Sequence, residues 1–492
     1  MSSVTMENGN KYNTAKLWQI ALFALNNTAT NLYMFAIMFV SYYATGVAGL
    51  TVVIVSTVLT VMRVFDGFTD PIVGYVIDKT ESKFGKFRPM MIIGNIILAS
   101  SLLIMYNVTH LLPTSLQLIF FIVIYGIYII GYTFQTATTK AAQTVLTNSP
   151  KQRPLFAIFD GIYNTVLFVG GQVVVSSYLV VKHEGFTMSF FTEFNTYAMI
   201  LSGIFTLLAV VAIWNKDQKE FYGLAEKSTE TKIRDYWPIL KGSRPMQMLV
   251  LAASTDKLAF SLVRNPVILV MLFGILIGDY ALSGTVSLIT VVPTVLITFI
   301  GVGIARKKGL KNSLVKSTWI ALIAFSLLIL MFLVIDPTTI SLQSIGITTV
   351  AFLVLYTLAM GFGGLPSALV IPMIADISDY ETSKTGRYIP GMLGTVFSFV
   401  DKLVSSLAPT IVGFTLALIG YKDEFPQIGD ALTTPLLAMT LLLAFGIPLL
   451  GLIVSLIAMK FYALDSKKME EVQEAIAKIK EEGNKDDTPT AV

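Results

Sequence analysis

Long apolar runs alternate with short charged clusters along the chain. Twelve runs stand out, at about 17–43, 50–77, 89–108, 116–146, 156–181, 195–214, 246–273, 279–304, 314–335, 345–375, 388–420 and 432–461. Each approaches or exceeds the ~20 residues that a helix needs to cross a hydrocarbon core of about 30 Å. Backbone polar groups find no water inside lipid, so a helix is the form each run must take. The pattern therefore predicts an all-α integral membrane protein with twelve transmembrane helices. The polar opening MSSVTMENGNKYNTAK lacks the basic start, short apolar core and small-residue cleavage site of a signal peptide. Near the other end, Met469, Val472, Ile476 and Ile479 recur at helical spacing, which predicts a short amphipathic helix followed by a disordered end.

The polar segment 215–245 divides the runs into two sets of six. The expected layout is a tail (1–16), a six-helix bundle (17–214), a linker (215–245), a second six-helix bundle (246–462) and a tail (463–492). That is the layout of the major facilitator architecture, in which two bundles rock around a midplane site. Composition agrees: hydrophobic residues make up 54% and charged residues 13%, against about 25% charged in soluble domains. Lysine and arginine concentrate in the loops DKTESKFGKFR, NSPKQR and RKKGLKNSLVK and in the linker, while the opposite loops hold little beyond Lys182 and Lys422. The charge bias puts both termini in the cytoplasm. The net charge of +4 reflects these loops and is no sign of nucleic-acid binding. With no cysteine, disulfides and thiolate metal sites are excluded, and His110 and His183 offer little for a histidine site.

The run from Leu50 carries Arg63, Asp66 and Asp70. A charge at the bilayer centre costs about 2.5–3.5 kcal/mol, so three in one span call for a role. Their spacing of three and four puts them on one helical face. One arginine and two carboxylates leave a net charge of −1, which a proton or a bound cation must neutralise. Pro71 has no N–H and so frees the carbonyl of Gly67, another hard oxygen. The alternative is purely structural: Arg63 pairs with one aspartate and a distant lysine with the other, which predicts folding defects without ion dependence.

The full stretch RVFDGFTDPIVGYVIDKTESKFGKFRP resembles the signature of the glycoside–pentoside–hexuronide:cation symporter family, of which melibiose permease is the best-known member. A second block, ADISDYETSKTGRYIPGMLGTVFSFVDKL, resembles that family's segment between spans ten and eleven, and the likeness extends from Leu17 to about Tyr462. The resemblance implies that Asp66 and Asp70 hold the coupling cation, that Lys402 faces that site, and that Thr133 assists. Thr69 stands where melibiose permease has asparagine. Its hydroxyl is a weaker sodium ligand than an amide carbonyl, which favours a proton over sodium as the coupling ion.

In span four, YGIYIIGYTFQTATTKAAQ resembles the family at Tyr132 and Thr133, but Thr136 replaces a sugar-binding aspartate and Lys140 a stacking tryptophan. Span one offers Asn26 and Asn27 where relatives commonly carry a lysine or asparagine followed by aspartate. The expected sugar set is Asn26, Asn27, Tyr132, Thr136, Lys140 and Asp256. Asp160, Lys257 and Arg264 are further charges within apolar runs. Lys140 is expected to pair with Asp160 or Asp256, to contact an acidic substrate such as a hexuronide, or to snorkel to the membrane surface. Asp78, Lys86 and Arg88 resemble the loop by which major facilitator proteins clamp their bundles, with Asp376, Asp379 and Arg387 as expected partners.

The resemblance implies a secondary transporter that couples uptake of a glycoside (an oligosaccharide, pentoside or hexuronide) to cation entry by alternating access. A lysolipid carrier of related fold and a channel are the alternatives. No Gly-rich Lys-Ser/Thr loop suggests a nucleotide-driven pump, and no arranged nucleophile and base or metal cluster suggests an enzyme. The expected partners are a sugar, a proton or sodium ion and the lipid bilayer, with no cofactor and no nucleic acid. The chain is expected to work as a monomer in a bacterial inner membrane.

Overall fold

The computed structural model describes residues 4–7, 10–79, 82–149, 151–218, 241–385 and 390–486. Among the described residues, twelve helices are long and apolar enough to cross a membrane. They are α1 (Leu17–Val47), α2 (Val52–Lys79), α3 (Phe87–Leu111), α4 (Thr114–Leu146), α5 (Arg153–His183), α6 (Met188–Ile213), α7 (Arg244–Val263), α8 (Ala281–Lys308), α9 (Leu310–Val334), α10 (Ile347–Thr385), α11 (Pro390–Ser405 continuing as Ala408–Leu418) and α12 (Thr434–Phe461). Each lies on one of the twelve expected runs. A further helix, α13 (Ser466–Asp486), carries the amphipathic pattern.

The opening residues hold an antiparallel hairpin, β1 (Val4–Glu7) and β2 (Asn10–Asn13), where the sequence predicts only a tail. Its strands are too short and too polar to show an alternating pattern. Tertiary bonds fasten it: the Asn13 N–H donates to Asn148 Oδ1 at 2.8 Å, and Thr147 Oγ1 donates to the Asn13 carbonyl at 2.9 Å.

The chain forms two compact units. The first comprises Met1–Ser228, Asp279–Leu288 and Pro409–Asp430; the second comprises Thr229–Gly278, Ile289–Ala408 and Ala431–Val492. In the first unit α1 packs on α4, α5 and α6, and α4 packs on α2 and α3. Gly131 lets α4 approach α3 closely, since a Cβ there would lie 2.7 Å from Ile97 Cγ2. Small residues at such crossings are the usual means of close helix packing in lipid. Asn95 on α3 donates to Ser202 Oγ at 2.8 Å and Thr206 Oγ1 at 2.9 Å on α6, a polar tie inside the bundle.

In the second unit α7 packs on α10, α11 and α12. The span of α7 is broken. Its helix stops at Val263; Asn265 Oδ1 accepts the Val267 N–H at 2.9 Å, and Pro266 opens a short apolar helix, Pro266–Ile277. Proline has no N–H and suits a first helical position, so Asn265–Pro266 ends one helix and begins the next. The tail helix α13 lies on α10. Its Val472 is buried, and Gln473 Nε2 donates to Asp379 Oδ2 at 2.8 Å.

Candidate functional site

Asp66 and Thr69 sit one turn apart on α2, facing Thr133 on α4. Thr133 Oγ1 lies 3.2 Å from Asp66 Oδ1, 2.8 Å from Thr69 Oγ1 and 3.0 Å from the Ile129 carbonyl. Thr69 Oγ1 also lies 2.9 Å from the Asp66 carbonyl. A hydroxyl has one proton and two lone pairs. Directed back to the helix carbonyls, as helical threonines often direct them, both protons leave the cluster. The two hydroxyl oxygens and Asp66 Oδ1 then face one another with neither hydroxyl proton between them, an arrangement suited to a bound proton or a small hard cation. Thr69 and Thr133 are buried, Asp66 is half-buried and Arg63 is exposed. Asp70 continues α2, but its side chain and that of Asp78 lie outside the described residues, as does all of Arg387. Lys402 is half-buried on α11 in the second unit.

Of the expected sugar residues in the first unit, Asn26 is fully buried. Its amide donates to Gln135 Oε1 at 2.9 Å and Thr139 Oγ1 at 2.6 Å, and Gln135 Nε2 in turn donates to the Met91 carbonyl at 2.9 Å. This chain of bonds joins α1, α4 and α3. Asn27 is half-buried on α1, which packs on α5; four residues further along, Asn31 Nδ2 donates to Asn164 Oδ1 on α5 at 2.8 Å. Asp160 Oδ1 is buried with no hydrogen-bond partner among the described residues. Tyr132 and Thr136 are half-buried, and the Thr136 hydroxyl bonds back to the Tyr132 carbonyl at 3.1 Å. Lys140 is exposed near the end of α4 and forms no ion pair among the described residues.

Two of the residues expected to form a gate, Lys86 and Arg88, meet Asp217. Asp217, which follows α6, accepts the N–H groups of Lys86 at 3.0 Å, Phe87 at 3.0 Å and Arg88 at 2.9 Å, and its Oδ2 lies 3.4 Å from Arg88 Nε. The Arg88 guanidinium also stacks on Trp214 at 4.5 Å. A carboxylate at a helix start meets unsatisfied N–H groups and the positive end of the dipole, which explains why Asp217 holds this loop. Asp379 is engaged by Gln473, and Asp376 lines a cavity of about 590 Å³ beneath α13.

A second cavity, of about 410 Å³, lies within the second unit among α7, α10 and α11. It is lined by Asp256, Lys257, Arg264 and Asp401, with Phe260 and Phe397 as its aromatic surfaces. Lys257 is ion-paired with Asp401. Asp256 is buried; its Oδ2 accepts the Ser455 hydroxyl at 3.0 Å, while Oδ1 has no hydrogen-bond partner among the described residues. Asp401 and Asp217 escape sequence reasoning. Asp401 sits beside Lys402 in an apolar run, the one signal that could have singled it out; Asp217 lies in a polar stretch that gives no such signal.

Comparison with known proteins places these features in a family. A family model described as MFS/sugar transport protein matches residues 22–466. A glucuronide carrier protein homolog of Escherichia coli (strain K12) is 25% identical over 462 residues, which cover 92% of this chain and 93% of that protein. YagG of the same organism, which carries the name of a glycoside/cation symporter, is 24% identical and covers 84% of this chain and 85% of its own. Among solved structures, a variant of the nucleoside transporter NupG matches with a TM-score of 0.59 at 14% identity, over 91% of this chain and all of that one (100%), a likeness of fold alone. The chain belongs to the MFS/sugar transport protein family, whose members are membrane transporters and not enzymes.

Proposed function

We propose that this transporter is a cation-coupled symporter of a glycoside, working by alternating access with both termini in the cytoplasm. The observation that carries this reading is the oxygen cluster of Asp66, Thr69 and Thr133, in which a half-buried carboxylate on one span meets two buried hydroxyls between two spans. Asp70, one residue after Thr69 on α2, adds a second carboxylate to the same helix. The relatives named for a glucuronide and for glycoside/cation symport support a sugar as the cargo. The cavity in the second unit, with four charged side chains, suits a polar solute better than an acyl chain. Proton coupling is favoured over sodium, because Thr69 and Thr133 offer hydroxyls where a sodium site gains from amide or backbone carbonyls.

The test is Asp66→Asn in membrane vesicles. Accumulation of sugar against its gradient should be lost, while equilibrium exchange of the same sugar persists, because the substitution removes the charge that the driving ion neutralises. If the variant accumulates sugar as the unmodified protein does, the cation site lies elsewhere.

A further inference from the structure

We infer that the cavity at the break of α7 binds the carboxylate of an acidic sugar through Arg264, making the cargo a hexuronic acid glycoside. This rests on the sugar reading above and narrows it.

Arg264 occupies the residue between the two helical pieces of the span, inside the apolar run 246–273. Its guanidinium lies 5.9 Å from the Phe260 ring centroid and has no carboxylate partner among the described residues. A cation inside a span is retained where it lines a pathway or a cavity, and Arg264 lines this one. The remaining charges do not neutralise it. Lys257 and Asp401 are paired with each other. Asp256 lies eight residues earlier on the same helix, ~12 Å away along the axis at 1.5 Å per residue. A bound carboxylate therefore completes the arginine, and the planar guanidinium fork matches it with two parallel hydrogen bonds.

The rest of the cavity is suited to the remainder of a sugar. Asp256 Oδ1 is a buried acceptor without a donor, and sugar hydroxyls supply donors. Phe260 and Phe397 provide apolar surface for the C–H face of a pyranose ring. Gly364 lines the same space, and a Cβ there would meet no atom within 4 Å. The volume falls in the range of small-molecule sites, about 300–1,000 Å³.

Methyl β-glucuronide and methyl β-glucoside differ only at the carbon bearing the carboxylate, so binding to the purified full chain and counterflow in proteoliposomes with this pair isolate the inference. The unmodified protein should bind the glucuronide at least about tenfold more tightly, the least that charge-assisted hydrogen bonds are worth. Arg264→Gln should erase that preference, and Arg264→Lys, a point charge without the fork, should keep part of it. Gly364→Val, which narrows the cavity, should weaken both sugars. Thermal unfolding of each variant separates a lost site from a lost fold. Should the unmodified protein exchange the glucoside and ignore the glucuronide, the inference fails and the symporter reading stands. Retention of the full preference in Arg264→Gln also overturns it. If neither sugar is bound or exchanged, the sugar reading falls and this inference with it.

Discussion

Two neighbouring amides on one helix can have quite different surroundings. The sequence puts Asn26 beside Asn27 as an expected pair of sugar ligands, and the two side chains differ in burial and in partners. The Asn26 amide donates to Gln135 and Thr139 inside the bundle, whereas Asn27 is half-buried on the next face of the helix. Nothing in the chain separates them, because neighbouring residues on a helix face directions about 100° apart and only packing says which direction is wet. Asn26→Leu should therefore act on stability. It leaves Gln135 Oε1 and Thr139 Oγ1 without the donor they share, at a cost of about 1–3 kcal/mol for buried polar groups left unsatisfied. Thermal unfolding in detergent should show a lower midpoint with sugar affinity retained in the folded fraction; a selective loss of sugar affinity at unchanged stability would make Asn26 a ligand after all. The Asp66 carboxylate of the oxygen cluster was more legible than this, since it announces itself as a charge in an apolar run. The Lys257–Asp401 pair was not, because its members are far apart in sequence and no spacing rule connects them.

At the scale of elements, the membrane makes the reading easy and the loops make it hard. All twelve spans follow from run length, because an apolar run of about 20 residues satisfies its backbone in lipid as a helix. The break in α7 has a local signal in Asn265–Pro266, but apolar residues continue on both sides of it and hide it. The start of α3 depends on a residue far along the chain. Gly85 takes a φ of +92°, and a Cβ there would lie 2.6 Å from Asp217 Cγ, so only glycine allows the loop to close on that carboxylate. Asp217 then satisfies three N–H groups at the helix start and pairs with Arg88. Asp217→Ala should destabilise the protein by about 3–5 kcal/mol, since it strands a mostly buried guanidinium and the helix start together. Asp217→Asn should fall between, keeping one acceptor while turning an NH₂ toward donors. A variant whose unfolding midpoint matches the unmodified protein would show that water replaces the carboxylate without cost and that the loop is not held from α6.

For the molecule as a whole, the oxygen cluster of α2 and α4 and the cavity of α7, α10 and α11 belong to different units and have no lining side chain in common among the described residues. Symport then requires a coupling free energy: the ion raises sugar affinity by some factor, and the sugar must raise ion affinity by the same factor, ordinarily about 5–150-fold. With a proton as the ion, sugar affinity should fall as the medium is made more alkaline, because the proton is then in shorter supply. The sign follows from linkage: the protonated form binds sugar more tightly, so sugar addition draws protons in, and lightly buffered vesicles should turn the outside medium alkaline. Titrating sugar at several pH values, and proton uptake at several sugar concentrations, gives two measures of one factor, which must agree. In Asp66→Asn both should vanish, leaving a pH-independent sugar affinity and no proton uptake. A sugar affinity that responds to sodium and ignores pH would assign sodium to the same cluster. An affinity indifferent to both ions would leave a uniporter, because no arrangement of oxygens in α2 can drive accumulation without a free energy that links its occupancy to the sugar's.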